Sequence, residues 1–487
     1  MSALPRAVTE EPGTMRSLNP ATGEAIGVEF ASTTRTGLEA LADAAFDAID
    51  FLADAPGAQI AGFLDDYAAR LESDREGLAR LAHEETALPY APRLSEVEFN
   101  RTTFQLREAA RALRDESWRE VVSDAKNNLR SMRVPLGGAV VAIGPSNFPL
   151  AFNGVSGGDF CAAIAARNPV IAKAHPGHMN TTARLFTHCA AARDAAGLPK
   201  AAVQLFFDCA PEDGEALLAH PGVAALGFTG SRASGLRLKD ACDRLGKPAS
   251  LEMSSVNPVF VASAAATARA EAIAEAWTAS VLLGGGQFCT KPGVLLVSGE
   301  DAAARIVSRA RDLLSAAAPA VLLTSAIREH ALRAIDALRT HGAAPIAGGA
   351  AAGPGFRLAP TLFAVDAAFA RLHRAEVFAE AFGPLGVVVA VEGDAQLVDF
   401  ARALDGQLAT TIVSDEGDAA TRATLLGVLR FKAGRILDEA MPTGVAVSAA
   451  MVHGGPFPAT GDGRHTAVGL PTAALRFTKL LCLDRVR

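Results

Sequence analysis

GGAVVAIGPSNFPL, residues 137–150, decides how the rest of the chain is read. Ala139 to Ile143 form an unbroken apolar run between glycines, too short for a helix and suited to a strand buried on both faces. The loop after it carries Asn147 between Pro145 and Pro149, and the two prolines favour a stiff, extended backbone at the strand's end. GGDFCAAIAARN (157–168) then reads as a helix, PVIAKA (169–174) as a strand and MNTTARLFTHCAAARDAAG (179–197) as a helix. AAVQLFF (201–207), GEALLAHP (214–221), AALGFTG (224–230), SRASGLRLKDACDRLG (231–246) and ASLEMS (249–254) continue the alternation. Such an order predicts a doubly wound α/β fold with a parallel sheet, whose ligands sit beyond the carboxyl ends of the strands.

Upstream, residues 35–55, 60–85 and 93–118 carry apolar residues at three- and four-residue spacing and read as amphipathic helices packed on a larger body. Downstream, a second α/β series begins near Asn257, with helices at 267–285, 301–316 and 325–342 and strands at 293–299, 385–393, 408–416 and 433–439. GGAAAGPG (348–355) reads as a surface loop between units.

A chain of 487 residues has room for about three structural units. With half its residues hydrophobic and a fifth charged, it is neither disordered nor fibrous. The net charge of -7 and the scattered Lys and Arg argue against nucleic acid as a partner. MSALPRAVTEEPG (1–13) lacks the apolar core of a signal peptide, and the apolar stretch 157–173 is interrupted by Asp159, Arg167 and Pro169, so a cytoplasmic protein without a membrane span is expected. Cys161, Cys189, Cys209, Cys242, Cys289 and Cys482 stand singly, which predicts neither a disulfide framework nor a metal site.

Four motifs carry candidate chemistry. GGGQFCTKPG (284–293) sets Cys289 after three glycines, where a thiol is either a buried filler or a nucleophile. GFTGSRASG (227–235) puts Gly230 and Ser231 at a strand-to-helix turn with Gly235 one turn later, a pattern that fits a tight turn or a phosphate approached by backbone N–H groups. Lys173 and Glu252 each close an apolar strand, the first reaching solvent or ribose oxygens, the second available as a general base. Asn147 either satisfies its own loop or donates to an oxyanion.

Taken in order with Glu380 in EAFGP, these motifs resemble the aldehyde dehydrogenase superfamily from NPATGE at Asn19 to the C-terminus. SNFPLAF, GGDFCAAIAARNPVIAKAHPGH and MPTGVAVSAAMVHGGPFPAT are similar to the branch of 2-oxoglutarate semialdehyde dehydrogenases and NADP-dependent fatty aldehyde dehydrogenases. The resemblance implies two doubly wound sheet domains and a small β oligomerisation arm. The cofactor domain is expected over 1–117 and 135–255, the catalytic domain over 256–445, and the arm over 118–134 and 466–487, in a homodimer or homotetramer. It further implies oxidation of a small-molecule aldehyde with NAD or NADP and no metal. Cys289 would attack the aldehyde, Asn147 would hold the oxyanion, and Glu252 would activate the water that releases the acid. Lys173, Gly230, Ser231, Gly235, Glu380, Phe382, Pro145 and His175 would line the cofactor site, with Gly284 to Gly286 small enough to let the nicotinamide approach the thiol. His453 falls near the thiol, as a group that tunes it or as a pocket wall.

The chain also departs from the pattern. Pro176 stands where NAD-preferring members carry a glutamate, which favours NADP, whereas Glu212 and Asp213 stand where NADP-preferring members tend to carry an arginine. Ser254 replaces a glycine, so a hydroxyl is expected beside Glu252, where it would lower that carboxylate's basicity.

Overall fold

The apolar run at 139–143 becomes the middle strand of a five-stranded parallel sheet in a computed structural model that describes residues 13–486. The reading of residues 1–12 falls outside the described residues. In chain order, Thr14–Leu18 (β1) and Ala25–Ala31 (β2) pair as an antiparallel hairpin across the NPATGE turn, where no strand was expected. Four α-helices follow, with a π-helical turn at Tyr90–Glu98 before the last: α1 (Arg35–Asp54), α2 (Gly57–Ser73), α3 (Arg75–Thr86) and α4 (Phe99–Asp115). The continuous helix expected over 60–85 is divided at Asp74, whose carboxylate is drawn off by Arg184 and His188. Val122–Asp124 (β3) and Leu129–Pro135 (β4) come next.

The first parallel sheet holds β5 (Ala139–Ile143), β6 (Val170–Lys173), β7 (Val203–Phe206), β8 (Val223–Thr229) and β9 (Ala249–Glu252), in the order β7-β6-β5-β8-β9. Its helices are α5 (Gly158–Ala165), α6 (Met179–Ala195), α7 (Pro211–Ala219) and α8 (Arg232–Leu245). The chain runs from β5 outward to β7, then returns to β8 on the other side. That reversal opens a crevice between the ends of β5 and β8.

The second sheet begins at β10 (Val259–Val261), followed by the helix α9 (Ser263–Leu282) and β11 (Val294–Ser298). The remaining strands are β12 (Ala320–Val321), β13 (Pro345–Ala347), β14 (Arg357–Leu358), β15 (Thr361–Asp366), β16 (Leu385–Val391), β17 (Gln407–Val413) and β18 (Ala433–Asp438). The sheet order is β13-β15-β16-β11-β10-β17-β18, parallel except for β13, while β12 and β14 form a separate antiparallel pair. Sequence reading had no strand at β10 or β15, and β10 is too short to show a period although it lies near the sheet's centre. The GGAAAGPG loop belongs inside this unit, between β13 and β14, and does not divide units. A Cβ on its Gly355 would come 2.4 Å from the carbonyls of Pro20 and Ala21, so the loop packs on the N-terminal hairpin turn. Thr478–Asp484 (β19) returns to pair along the whole of β4, giving the antiparallel sheet β19-β4-β3. Among the described residues, no helix is long and apolar enough to cross a membrane.

Residues 253–258 carry the chain from β9 to β10, and thus from one sheet to the other. Gln407, the first residue of β17, accepts at Oε1 from the N–H groups of Val256 (2.9 Å) and Asn257 (3.1 Å). Ser255 Oγ lies 3.0 Å from the same oxygen and accepts from the Leu408 N–H at 3.0 Å. Gln407, Ser255, Val256, Asn257 and Leu408 are all almost fully buried, so every one of these donors depends on a protein partner. Gln407→Leu is expected to destabilise the protein by about 2–4 kcal/mol, because two buried amides lose their acceptor. Urea unfolding would measure it, and a loss below about 1 kcal/mol would show that the amides find other acceptors.

Candidate active site

The segment between α9 and β11 shapes the thiol's position. Gly284, Gly285 and Gly286 all adopt positive φ (60°, 67° and 70°), a left-handed run that side chains oppose. A Cβ on Gly286 would lie 2.1 Å from the Gly383 carbonyl, and one on Gly284 would strike the Phe288 ring at 2.5 Å. The glycines are therefore needed for the turn itself, a role apart from any room they leave for a nicotinamide. Gln287 fastens the turn: its Oε1 accepts from Leu323 N–H (2.8 Å) and its amide donates to the carbonyls of Gly284 and Val321. Asn257, at φ 53°, donates both amide hydrogens across the gap, to Cys289 O (2.8 Å) and Lys291 O (3.0 Å).

Cys289 is thereby presented to Glu252 at the end of β9 and to His453 from the C-terminal segment. His453 Nε2 lies 3.1 Å from Cys289 Sγ and 2.8 Å from Glu252 Oε1. The three ligating atoms fall within 4.8 Å of one another, a spacing that serves proton transfer or a metal equally. Met253 N–H donates to Ala459 O, and Glu252 bridges Thr460, so the C-terminal segment is laid along the edge of β9. Burial pushes the Cys289 thiol well above its ordinary value, and the adjacent Glu252 carboxylate adds to the effect. Cys161 and Cys189 are raised chiefly by burial in the core, and burial is the main cause that takes Cys242 to about 11.

Asn147 is buried beside this cluster, and its Nδ2 donates to Gln287 O at 2.8 Å, which leaves the second amide hydrogen for a ligand. Its backbone carbonyl accepts from Arg93 at 2.9 Å. Lys291, two residues after the thiol, is buried and donates to Ala381 O (2.6 Å), Gly383 O (3.1 Å) and Leu385 O (2.8 Å). Burial lowers its ammonium to about 8. Through it the thiol loop is tied to the loop carrying Glu380 and Phe382. Sequence reasoning missed Lys291, Asn257 and Gln407. A polar residue opening the apolar run QLATTIV was the available signal for the last.

The remaining predicted residues cluster at the crevice. Lys173 ends β6 and lies 3.4 Å from Asp208. His175 caps the turn before α6, accepting from Gly177 N–H at 3.0 Å, and Pro145 O lies 3.1 Å from His178 Nε2. Ser231 is the exposed N-cap of α8. Gly230 is hemmed in by the Phe228 ring, and a Cβ on Gly235 would sit 2.6 Å from Met253 Sδ. Gly235 thus serves the packing of α8 on the strand end. Burial raises the Glu380 carboxyl, against the Ser254 hydroxyl and the Ser255 N–H, which favour its charged form. The placement of Ser254 corrects a second expectation: its Oγ accepts from Arg232 N–H at 3.2 Å and faces Glu380, leaving Glu252 to His453. A helix N-terminus, a lysine and a carboxylate around one crevice fit a dinucleotide, whose phosphates and ribose hydroxyls need those partners.

The fold and this thiol-centred cluster define a family that comparison with known proteins identifies. Residues 7–445 match the family model described as "Aldehyde dehydrogenase family", and the chain belongs to that family. It is 37% identical over 482 residues to an alpha-ketoglutaric semialdehyde dehydrogenase of Acinetobacter baylyi, covering 96% of this chain and 90% of the relative. It is 38% identical over 490 residues to alpha-ketoglutaric semialdehyde dehydrogenase 2 of Azospirillum brasilense, covering 98% and 92%. The fold is also similar to the crystal structure of PnpE in complex with nicotinamide adenine dinucleotide, with TM-score 0.82 and 22% identity over 98% of this chain and 95% of that one.

The cause of the raised thiol value yields a test. Glu252→Gln removes the neighbouring negative charge, so the Cys289 pKa falls and its alkylation by iodoacetamide at neutral pH becomes faster than in the wild type. An unchanged alkylation rate against pH would mean that burial alone sets the thiol.

Proposed function

We propose that this chain oxidises 2-oxoglutarate semialdehyde to the dicarboxylic acid with a nicotinamide dinucleotide, using Cys289 as nucleophile. The carrying observation is the path Cys289 Sγ, His453 Nε2, Glu252 Oε1, with steps of 3.1 and 2.8 Å, at the meeting of the two sheets. The names of the two full-length relatives support the substrate.

His453 accepts the thiol proton, and the thiolate attacks the aldehyde carbon to give a thiohemiacetal. The free amide hydrogen of Asn147 stabilises the alkoxide oxygen. A nicotinamide held by Lys173, Ser231 and Glu380 would supply the acceptor for the hydride lost from this carbon, which leaves an acyl thioester on Cys289. Glu252, backed by His453, takes a proton from water, whose oxygen attacks the thioester carbonyl and expels the Cys289 thiolate. One aldehyde and one water thus give one acid, with two electrons carried away as hydride and one proton released to solvent through Glu252.

Lys173, Ser231 and Glu380 would hold the dinucleotide, beside Pro145, His175, Gly230 and Phe382. Asp213 is paired with Arg35 at 3.0 Å, which offsets the negative charge that would repel a 2′-phosphate, and Pro176 adds none. We therefore propose that NAD and NADP are both accepted. The arm β19-β4-β3 exposes Leu480 (71%) and Val122 (66%) on its two edge strands, which supports its use as a contact between copies of the chain.

Cys289→Ser is expected to abolish turnover while cofactor binding, followed by fluorescence, persists. In the wild type, kcat/KM for 2-oxoglutarate semialdehyde should exceed that for a long-chain fatty aldehyde with either cofactor. The reverse order would replace the substrate reading with the fatty aldehyde one.

A further inference from the structure

Two aromatic residues flank the reacting groups in sequence, Phe148 after Asn147 and Phe288 before Cys289, and their rings meet edge to face at 5.7 Å. Phe148 also meets Phe152 edge to face at 5.0 Å. Arg93 lies over Phe148 (4.3 Å) and Phe288 (5.6 Å), and Arg101 over Phe148 (5.7 Å) and Phe152 (4.7 Å). Phe152 in turn lines a cavity of about 40 Å³ together with Glu252 and His453. Two guanidinium groups therefore stand on the aromatic wall of the thiol site.

Their states differ. Arg93 is neutralised by the buried Glu98, and Glu98 also accepts from the N–H groups of Leu150 and Ala151. Arg101 makes one hydrogen bond, from Nη1 to Val445 O at 2.9 Å. Its Nε and Nη2 are buried and have no partner among the described residues. These two nitrogens form one edge of the guanidinium plane, the edge that receives both oxygens of a carboxylate. Val445 belongs to the loop whose Gly444 N–H donates to Thr290 Oγ1 (3.3 Å), so the bonded end of Arg101 is anchored next to the thiol. Arg435 grips the same loop through Gly444 O and Pro442 O, with only Nε free. A buried cation with a free donor edge is costly unless an anion arrives to fill it.

We propose that the Nε/Nη2 edge of Arg101 binds the carboxylate at the far end of the substrate, and that this pairing makes the enzyme selective for aldehydes that carry an acid group. The assignment rests on the reading under Proposed function and names the residue that enforces it. The phenylalanines cover the chain between the two ends, and the guanidinium reads its terminus. Arg101 is a specificity residue and takes no part in bond making.

The test compares wild type, Arg101→Met and Arg101→Lys on 2-oxoglutarate semialdehyde and on pentanal, a neutral aldehyde of equal length, with melting temperature and cofactor fluorescence recorded for each. For Arg101→Met the ratio of kcat/KM, acid-bearing over neutral, should fall by at least about 30-fold, mostly through KM, as a charged hydrogen-bonded pair is lost. Arg101→Lys should recover only part of the ratio, because an ammonium lacks the fork. Glutarate should inhibit the wild type competitively and lose its hold on Arg101→Met. If the wild type prefers the acid-bearing aldehyde and Arg101→Met keeps that preference, the assignment to Arg101 falls while the substrate reading stands. Equal loss on both aldehydes also overturns it, since that marks a structural role. A wild type with no preference overturns the substrate reading, and this assignment with it.

Discussion

The site depends on how residues 253–258 are held as they pass between the sheets. Glu252 ends a strand of one sheet and Cys289 precedes a strand of the other, so their meeting requires the crossover to follow a single course. Gln407 accepts from its amides, Ser255 accepts from β17, and Asn257 reaches both carbonyls that flank Thr290. A buried network of this kind is costly when incomplete, and for that reason it admits few alternatives. The geometry of the thiol is thus a consequence of amide and carboxamide chemistry in the crossover.

Around this joint the site is drawn together from four directions. Lys291 binds the Glu380 loop to the thiol loop through three carbonyls, and the C-terminal segment lies along β9 to deliver His453. Asn147 arrives from the end of β5 in the first parallel sheet and is held to Gln287. None of these ties is a surface ion pair of the kind that salt weakens readily. They are buried hydrogen bonds from charged or amide donors to carbonyl groups, and they leave the reacting atoms a fixed frame.

Electrostatics then separates the roles within that frame. Burial and Glu252 raise the thiol above its ordinary value, and His453 stands between the thiol and that carboxylate. Burial raises the Glu380 carboxyl, and the Ser254 hydroxyl and the Ser255 N–H oppose that rise. Ser254 therefore acts on the crevice side of the crossover, although in sequence it stands two residues from Glu252.

Alternating apolar runs and helical periods between residues 135 and 255 determined the doubly wound sheet, because burial on both faces demands continuous apolar strands. The same local chemistry singled out Cys289, Asn147 and Glu252, each at the end of an element where side chains meet ligands. The sequence did not disclose β10, whose three residues carry no period, or the hairpin β1–β2, whose alternation is weak. Nor did it disclose that the glycine run is required by positive φ, since such a glycine looks the same in sequence as one required by a ligand. Only the tertiary structure decided that Ser254 faces Glu380, that His453 links thiol to carboxylate, and that Arg101 keeps an unfilled edge. Those facts concern distances between residues far apart in the chain, which no local pattern encodes.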